Sequence, residues 1–302
     1  MKLSNVIEYI DGKLIEDGEF EVLEYCTSKC DRHFLSFLEN IKFIDKINPN
    51  VTCVITTEEI YRRLPNHIKG IILAEEPKKE FVVLHNILAQ QVEYAGERFK
   101  TIIGKNCDIS PLAFVEEYNV IIGDNVKIAS FAVIRENVTI GNECKIYEHS
   151  VIGGQSFNYV KIKDGCNIGM VDCGRVILED NVEVFSHCHI ANGPLPNDIT
   201  YIEKEVKLDA FIHVGHGTRI GSRTLIPAGA QIGGNVNIGE DAWIGVNATI
   251  RNRINIGNKG RISLGSVVTK DVEDNQTVTG NFAIPHDMFM NNLKESMKKK
   301  EE

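Results

Sequence analysis

Residues 226–250 read IPAGAQIGGNVNIGEDAWIGVNATI, and isoleucine stands at every sixth position of this stretch. Outward from it, the step of six continues in both directions along the chain. Twelve consecutive steps fall on Ile, Leu or Val: Ile202, Leu208, Val214, Ile220, Ile226, Ile232, Ile238, Ile244, Ile250, Ile256, Ile262 and Val268. The step also runs from Ile122 to Ile152 and from Leu178 to Ile190. A period of six matches neither an α-helix nor an amphipathic strand.

This period is typical of a chain wound as a triangular prism, in which each hexad supplies one short strand and one corner. The aliphatic residue points inward, and three hexads make a coil of 18 residues that stacks by parallel strand pairing about 4.8 Å from the next. Gly often follows the aliphatic residue, as in Ile220-Gly221 and Ile238-Gly239. We expect these glycines at tight corners with positive φ. The sequence therefore predicts a mostly β fold organised as a parallel β-helix.

Two interruptions and two flanking regions depart from the repeat. The interruptions are GGQSFNY at 153–159 and ANGPLPND at 191–198; they predict loops that leave the prism, either functional loops or tolerated surface insertions. The first hundred residues predict strands at 51–55 and 70–73, a short helix opened by a capping box at 56–59 and ending at Arg63, and a longer helix over 81–94. A terminal helix follows Pro285. The predicted domains are 1–98 (small α/β), 99–282 (β-helix) and 283–302 (C-terminal helix and tail).

Composition excludes several classes of protein. The net charge of −9 argues against binding to nucleic acid or to an anionic membrane surface. Of the eight cysteines only Cys26 and Cys30 lie close together, so the sequence predicts no metal site. No apolar run is long enough for a signal peptide or a membrane span, and we expect a cytoplasmic protein without membrane insertion.

A candidate catalytic group follows from the 18-residue coil. His216 and Gly234 are 18 residues apart, which predicts that they share one edge of the prism on successive coils. Asp209 precedes His216 by seven residues and is a candidate partner for it. A histidine oriented by a carboxylate is a common general base, and a glycine N–H suits a developing oxyanion. On residues alone, His187, His189 and His213 compete with His216, and a plain corner position for His216 stays open.

The stretch KLDAFIHVGHGTRIG, from Lys207, resembles the motif around the catalytic histidine of the UDP-3-O-acylglucosamine N-acyltransferases of lipid A biosynthesis. These enzymes belong to the hexapeptide-repeat acyltransferases, whose fold is a left-handed parallel β-helix. The resemblance implies that His216 is the base, that Asp209 orients it and that the Gly234 N–H lines the oxyanion site. It also implies a homotrimer, with sites in the groove between neighbouring prisms.

The resemblance extends to the N-terminal region. RHFLSFLENIKFIDKI (32–47) and VTCVITTEE (51–59) are similar to the nucleotide-binding domain of that family. The resemblance implies that Phe37, Asn40 and Phe43 hold the uracil, although a core role for both phenylalanines stays open. VIGGQSFNYV (151–160) is similar to a loop near the sugar, which makes Phe157 and Tyr159 candidate sugar contacts. Aromatic faces with one amide suit a nucleobase.

The chain also departs from the family, because HCHIANGPLPN (187–197) replaces an Asp-Arg-Gly segment and Phe43 stands where Tyr is common. We therefore expect an N-acyltransferase that moves an acyl group from a CoA or acyl-carrier-protein thioester to the amine of a UDP- or dTDP-linked amino sugar, for surface polysaccharide or lipopolysaccharide synthesis. No bound cofactor is expected. The alternatives are a lipid A type N-acyltransferase with 3-hydroxyacyl groups, a sugar O-acyltransferase, and a non-catalytic β-helix scaffold.

Overall fold

The computed structural model describes residues 1–280 and 283–298. Most of the chain forms a left-handed parallel β-helix with three sheets, which we name sides 1, 2 and 3 in the order in which the chain enters them. Side 1 contains Ile102–Ile103, Val120–Ile122, Val138–Ile140, Arg175–Leu178, Ile199–Ile202, Arg219–Ile220, Asn237–Ile238 and Asn255–Ile256. Side 2 contains Asp108–Ile109, Lys127–Ile128, Lys145–Ile146, Glu183–Val184, Lys207–Leu208, Leu225–Ile226, Trp243–Ile244, Arg261–Ile262 and Thr277–Val278. Side 3 contains Phe114–Val115, Val133–Ile134, Val151–Gly154, His189–Ala191, His213–Val214, Gln231–Ile232, Thr249–Ile250 and Val267–Val268.

The register of the sides confirms the repeat. Arg219 pairs with Asn237 on side 1, and Gln231 pairs with Thr249 on side 3, so each of these coils adds 18 residues. All twelve aliphatic residues of the long run lie in one buried cluster along the prism axis, with exposed fractions of at most 6%. Burial of one aliphatic ring of side chains per coil is the main stabilising contribution to the prism.

The expected role of the corner glycines is wrong. Gly221 and Gly239, which follow inward residues, are not among the residues at positive φ. A Cβ on Gly221 would lie 2.5 Å from the backbone carbon of Gly239 on the next coil, so glycine is needed there for the close approach of two coils. The positive φ falls two residues later, on residues such as Asn125, Asn235 and Asp241.

The N-terminal region forms a five-stranded sheet of β1 (Lys13–Glu16), β2 (Val22–Leu23), β3 (Phe34–Leu38), β4 (Val51–Thr56) and β5 (Gly70–Leu73), in the order β1-β5-β4-β3-β2. Only the β1–β5 pairing is antiparallel. The helices are α1 (Glu58–Tyr61), α2 (Pro77–Leu88) and α3 (Val92–Ala95), with 3₁₀ turns at Leu3–Asn5, Ile7–Tyr9 and Ile41–Lys46. The helix α4 spans His286–Lys298 near the C-terminus. The structure describes no helix that is both long and apolar enough to cross a membrane.

Two helix predictions for this region are wrong in detail. The capping box at 56–59 does not form, because the Thr56 hydroxyl donates to the Leu38 carbonyl at 2.7 Å and Thr57 precedes α1 without a side-chain cap. The helix α1 also ends at Tyr61, short of Arg63. The longer predicted helix over 81–94 is divided into α2 and α3, and Pro77 starts α2 earlier than predicted because proline is well tolerated in the first turn.

Both interruptions leave the prism at the edge between side 3 and side 1, which we name the 3–1 edge. The first is longer than the predicted 153–159, because the next prism strand begins only at Arg175, and it contains an antiparallel hairpin, Tyr159–Lys161 with Asn167–Gly169. The N-terminal sheet packs against both insertions through a shared apolar cluster that includes Phe81 and Leu195. The Asn86 side chain of α2 also links the N-terminal unit to the first insertion. Its Nδ2 donates to the Gly169 carbonyl at 2.8 Å, and its Oδ1 accepts from the Val171 N–H at 2.9 Å. The N-terminal unit is therefore held at the 3–1 edge.

Candidate active site

His216 lies on the 3–1 edge, between the strands His213–Val214 and Arg219–Ile220. The second insertion occupies this edge one coil below, and Gly234 occupies it one coil above. The coils are joined directly here, because the Asn235 N–H donates to the His216 carbonyl at 2.7 Å and the Arg253 N–H donates to the Gly234 carbonyl at 3.0 Å. The edge thus stacks His216, Gly234 and Arg253 in ascending order.

The structure brings His216 and Gly234 into contact. A Cβ on Gly234 would lie 2.8 Å from His216 Nε2 and 2.9 Å from Cδ2, so the imidazole fits only against a glycine. The Gly234 N–H makes no hydrogen bond to the backbone of the described chain. Burial, with smaller contributions from the charges of Arg253 and His213, lowers the pKa of His216. The ring is therefore neutral near pH 7, as a proton acceptor must be.

Asp209 is not brought to His216 within one chain. It follows a side 2 strand, at the edge between sides 2 and 3 (the 2–3 edge), and its Oδ1 accepts from the Ala210 N–H at 2.8 Å. The strand His213–Val214 separates it from the 3–1 edge. Nδ1 of His216 is buried and has no hydrogen-bond partner among the described residues. A single chain thus presents the imidazole without an orienting carboxylate.

The competing histidines divide between two edges. His189 and His213 are neighbours on side 3, with stacked rings 5.3 Å apart, and burial lowers the pKa of each. Nδ1 of His189 is also buried without a partner. His187 lies on the 2–3 edge, where its ring stacks on Phe211. Of the three, His189 and His213 lie beside the candidate site and His187 does not.

A cavity of about 420 Å³ lies between the N-terminal sheet and the first insertion. Its walls include all three predicted nucleotide contacts, Phe37, Asn40 and Phe43, together with Tyr159 of the hairpin. Phe37 is half-buried, and its ring packs against that of Phe81 with centroids 5.1 Å apart. This position is compatible with a core role as well as with one exposed ring face.

The other predicted contacts differ in their exposure and in their position relative to the cavity. Asn40 caps a 3₁₀ turn, because its Oδ1 accepts from the Lys42 N–H at 3.0 Å, which leaves the amide NH₂ as a donor. Phe43 is 45% exposed at the cavity wall. Phe157 is 93% exposed and lies outside the cavity wall, against the ring of Tyr159. Of the two candidate sugar contacts predicted from the sequence, the structure therefore places Tyr159, but not Phe157, beside the predicted nucleotide contacts.

The cavity wall also contains residues that the sequence did not identify as contacts, among them Tyr25, Lys78 and Arg253. The signal for Arg253 was present, since two steps of 18 from Gly217 lead through Asn235 to Arg253 on the same edge. No periodic signal marks Tyr25 or Lys78, which reach the cavity from the N-terminal unit. Over residues 1–280 and 283–292, no group of three or more His, Cys, Asp or Glu residues is arranged to hold a metal ion.

Comparison with known proteins gives relatives of one kind. A family model described as bacterial transferase hexapeptide (six repeats) matches residues 119–154. The UDP-3-O-acylglucosamine N-acyltransferase of Coxiella burnetii (strain Dugway 5J108-111) is 26% identical over 220 residues, covering 65% of this chain and 60% of that protein. The enzyme of the same name from Methylobacillus flagellatus is 30% identical over 220 residues, covering 64% and 60%. The matched part thus spans about 60% of the length of these relatives.

Solved structures agree on the fold. The UDP-N-acetylglucosamine acyltransferase from Campylobacter jejuni superposes with a TM-score of 0.54 at 21% identity, over 60% of this chain and 68% of that one. The acyltransferase of that name from Bacteroides fragilis 9343 gives 0.51 at 26% identity, over 57% and 64%. The predicted left-handed β-helix and the resemblance to hexapeptide-repeat acyltransferases are confirmed.

Proposed function

We propose that this protein is an N-acyltransferase that moves an acyl group from a thioester to the amine of a nucleotide-linked amino sugar. The observation that carries the proposal is the position of the cavity: the N-terminal unit holds its aromatic and amide groups at the prism edge that also carries His216 against Gly234. The names of the relatives, acyltransferases of UDP-linked sugars, support the same reading.

In this proposal the base of the nucleotide lies between Phe37 and Phe43, and the Asn40 NH₂ donates to a carbonyl of the base. Tyr159 contacts the sugar. UDP and dTDP both satisfy these contacts, because uracil and thymine present the same carbonyl groups. The sugar then extends along the 3–1 edge toward His216.

The chemistry follows from the groups on that edge. The amine nitrogen of the sugar attacks the thioester carbonyl, and His216 Nε2 takes a proton from that amine. The Gly234 N–H donates to the oxyanion of the tetrahedral intermediate. Collapse of the intermediate forms the amide bond and breaks the C–S bond, and the imidazolium returns its proton to the thiolate. No covalent acyl-protein intermediate is needed.

In this proposal, the Asp209 that orients His216 belongs to a neighbouring copy of the chain. Because Asp209 and His216 of one chain lie on different prism edges, a homotrimer would complete the site by setting the 2–3 edge of one copy beside the 3–1 edge of the next. Asp209 would then accept from Nδ1 of His216, which has no partner within the described chain.

The donor is CoA or an acyl carrier protein, and the structure favours neither. A lipid A type N-acyltransferase is the second candidate, because the relatives that we report carry that name. Sugar O-acylation would use the same His216 and Gly234. The cytoplasmic location stays a prediction.

The proposal is tested with His216→Ala and, as the matched control, His67→Ala, an exposed histidine of the N-terminal unit. We expect His216→Ala to lower acyl transfer about 10²- to 10⁴-fold while UDP or dTDP still raises Tm, and His67→Ala to behave as wild type. Full activity in His216→Ala would contradict the mechanism. Absence of any Tm shift with UDP, dTDP and CoA would favour the scaffold.

A further inference from the structure

Arg253 lies between the cavity and the candidate base. Its side chain lines the cavity that Phe37 and Tyr159 also line, and its N–H donates to the Gly234 carbonyl one coil below. The charge of Arg253 lowers the pKa of the His216 imidazole. It also acts to lower the pKa of the Tyr25 phenol, although burial raises that pKa by more. This position follows the order of parts in a nucleotide sugar, with the base at one end, the phosphates in the middle and the sugar at the other end.

The guanidinium of Arg253 makes no ion pair or side-chain hydrogen bond within the described residues. Two other arginines of the prism are paired: Arg219 contacts Glu203, and Arg223 contacts Asp241 at 2.8 Å. An unpaired arginine at a cavity wall is notable in a chain with a net charge of −9. The planar fork of a guanidinium is suited to bidentate binding of phosphate oxygens.

We propose that Arg253 binds the diphosphate of the nucleotide sugar and thereby positions the amino sugar at His216. The inference rests on the proposed function and assigns a residue that the sequence interpretation did not identify. Lys78, the other cation of the cavity, lies at the start of α2 beside the base contacts. Arg253 lies on the prism with His216, so it is the cation that can join the phosphates to the reacting end.

Binding of the diphosphate at Arg253 changes the pKa of His216, the proposed general base. Arg253 and His213 are the charged or titratable groups whose fields lower the pKa of His216, in addition to its burial. A bound diphosphate neutralises the guanidinium, so the pKa of His216 is higher in the complex than in the free protein. Activity that requires neutral His216 rises with pH through that pKa, and the acid limb of kcat therefore lies at higher pH than the acid limb of kcat/KM.

The experiment is calorimetric titration of four proteins with uridine and UDP, and with thymidine and dTDP. The proteins are wild type, Arg253→Met, Arg253→Lys and the control Arg251→Met, whose exposed arginine lies outside the cavity wall. We expect the diphosphate to bind wild type more tightly than the nucleoside. Arg253→Met should lose about tenfold or more of that difference with nucleoside affinity unchanged. Arg253→Lys should keep part of it, and Arg251→Met all of it.

A second measurement distinguishes a positioning role of Arg253 from a purely structural one. Arg253→Met should raise KM for the nucleotide sugar and move the acid limb of kcat/KM to higher pH, since the charge that lowers the pKa of His216 is gone. If Arg253→Met keeps the full preference for the diphosphate, the assignment is wrong while the proposed function stands. A fifth protein, Lys78→Met, is titrated in the same way: if it loses the preference while Arg253→Met keeps it, the diphosphate belongs to Lys78. If wild type binds none of the four ligands, the proposed function fails together with the assignment.

Discussion

At the residue scale, the contact between His216 and Gly234 is the feature of the candidate site that tolerates the least change. The imidazole lies against the glycine, and the glycine N–H makes no backbone hydrogen bond. Any side chain at position 234 must displace the ring. The same feature therefore determines both the position of the proposed base and access to the proposed oxyanion donor.

We predict that Gly234→Ala lowers kcat for acyl transfer by about 10²-fold or more, because the added methyl moves the imidazole away from the N–H that would stabilise the oxyanion. Steady-state kinetics and Tm measure the effect. Gly154→Ala is the matched control, since a Cβ there meets the ring of His189 in the same way. An equal loss of kcat in the two folded variants would show that the effect is not specific to His216.

At the element scale, the junction between β2 and the second insertion encloses two carboxyl groups. Glu24 directly follows β2 and is 4% exposed, and Asp198 closes the insertion. Burial first, and then the charge of Asp198, raise the pKa of Glu24 to about 7. Burial and the charge of Asp172 raise the pKa of Asp198 to about 6. Two carboxyl groups that favour the protonated state thus lie where the N-terminal unit meets the prism.

The sign of the pH effect follows from these directions. A carboxyl whose pKa is raised by folding stabilises the fold at low pH, and this contribution is lost as the pH rises through the folded pKa. For Glu24 the loss occurs between about pH 4.5 and 7. We predict that Glu24→Gln has a higher Tm than wild type at pH 8, by about 2 °C or more, and nearly the same Tm at pH 5.

Calorimetry across pH 5–8 measures the effect, and Glu97→Gln is the control because Glu97 is exposed. Tm curves of wild type and Glu24→Gln that stay parallel over this range would falsify the prediction.

At the scale of the whole molecule, the 2–3 edge presents an exposed row of stacked rings: Phe131, His149, His187 and Phe211. Successive centroids lie 5.1, 4.8 and 5.0 Å apart, and Phe131 and Phe211 are 52% and 61% exposed. Asp209 belongs to the same edge. An apolar row of this kind beside an exposed carboxylate fits an edge that a second copy covers in the proposed homotrimer.

Subunit mixing tests that arrangement directly. We predict that Asp209→Asn and His216→Ala are each nearly inactive alone. When the two are unfolded together and reassembled, activity returns, because about a quarter of the interfaces combine an intact Asp209 edge with an intact His216 edge. Light scattering on wild type gives the copy number. Mixed assemblies that stay inactive would contradict a site shared between copies, as would a fully active monomer.

The repeat of six is sufficient to predict the prism. A step of six places one aliphatic side chain per hexad in the core, and this local rule predicted the buried residues and the approach of His216 to Gly234 across 18 residues. The rule gave the wrong reason for glycine at position 221. A side chain there would clash with the backbone of Gly239 on the next coil, whereas the rule predicted a corner with positive φ. The step of 18 from Gly217 would also have found Arg253.

The assembly of the candidate site, in contrast, depends on contacts between segments that are far apart in the sequence. Nothing periodic joins residues 37–43 to residue 253, and they come together because the N-terminal sheet docks on two insertions that leave the same prism edge. The same geometry separates Asp209 from His216 by one side of the prism, although they are seven residues apart in sequence. Repetition specifies a stack of coils, whereas the contacts between the stack and its added segments depend on non-repeating side chains whose fit is defined only after the chain has folded.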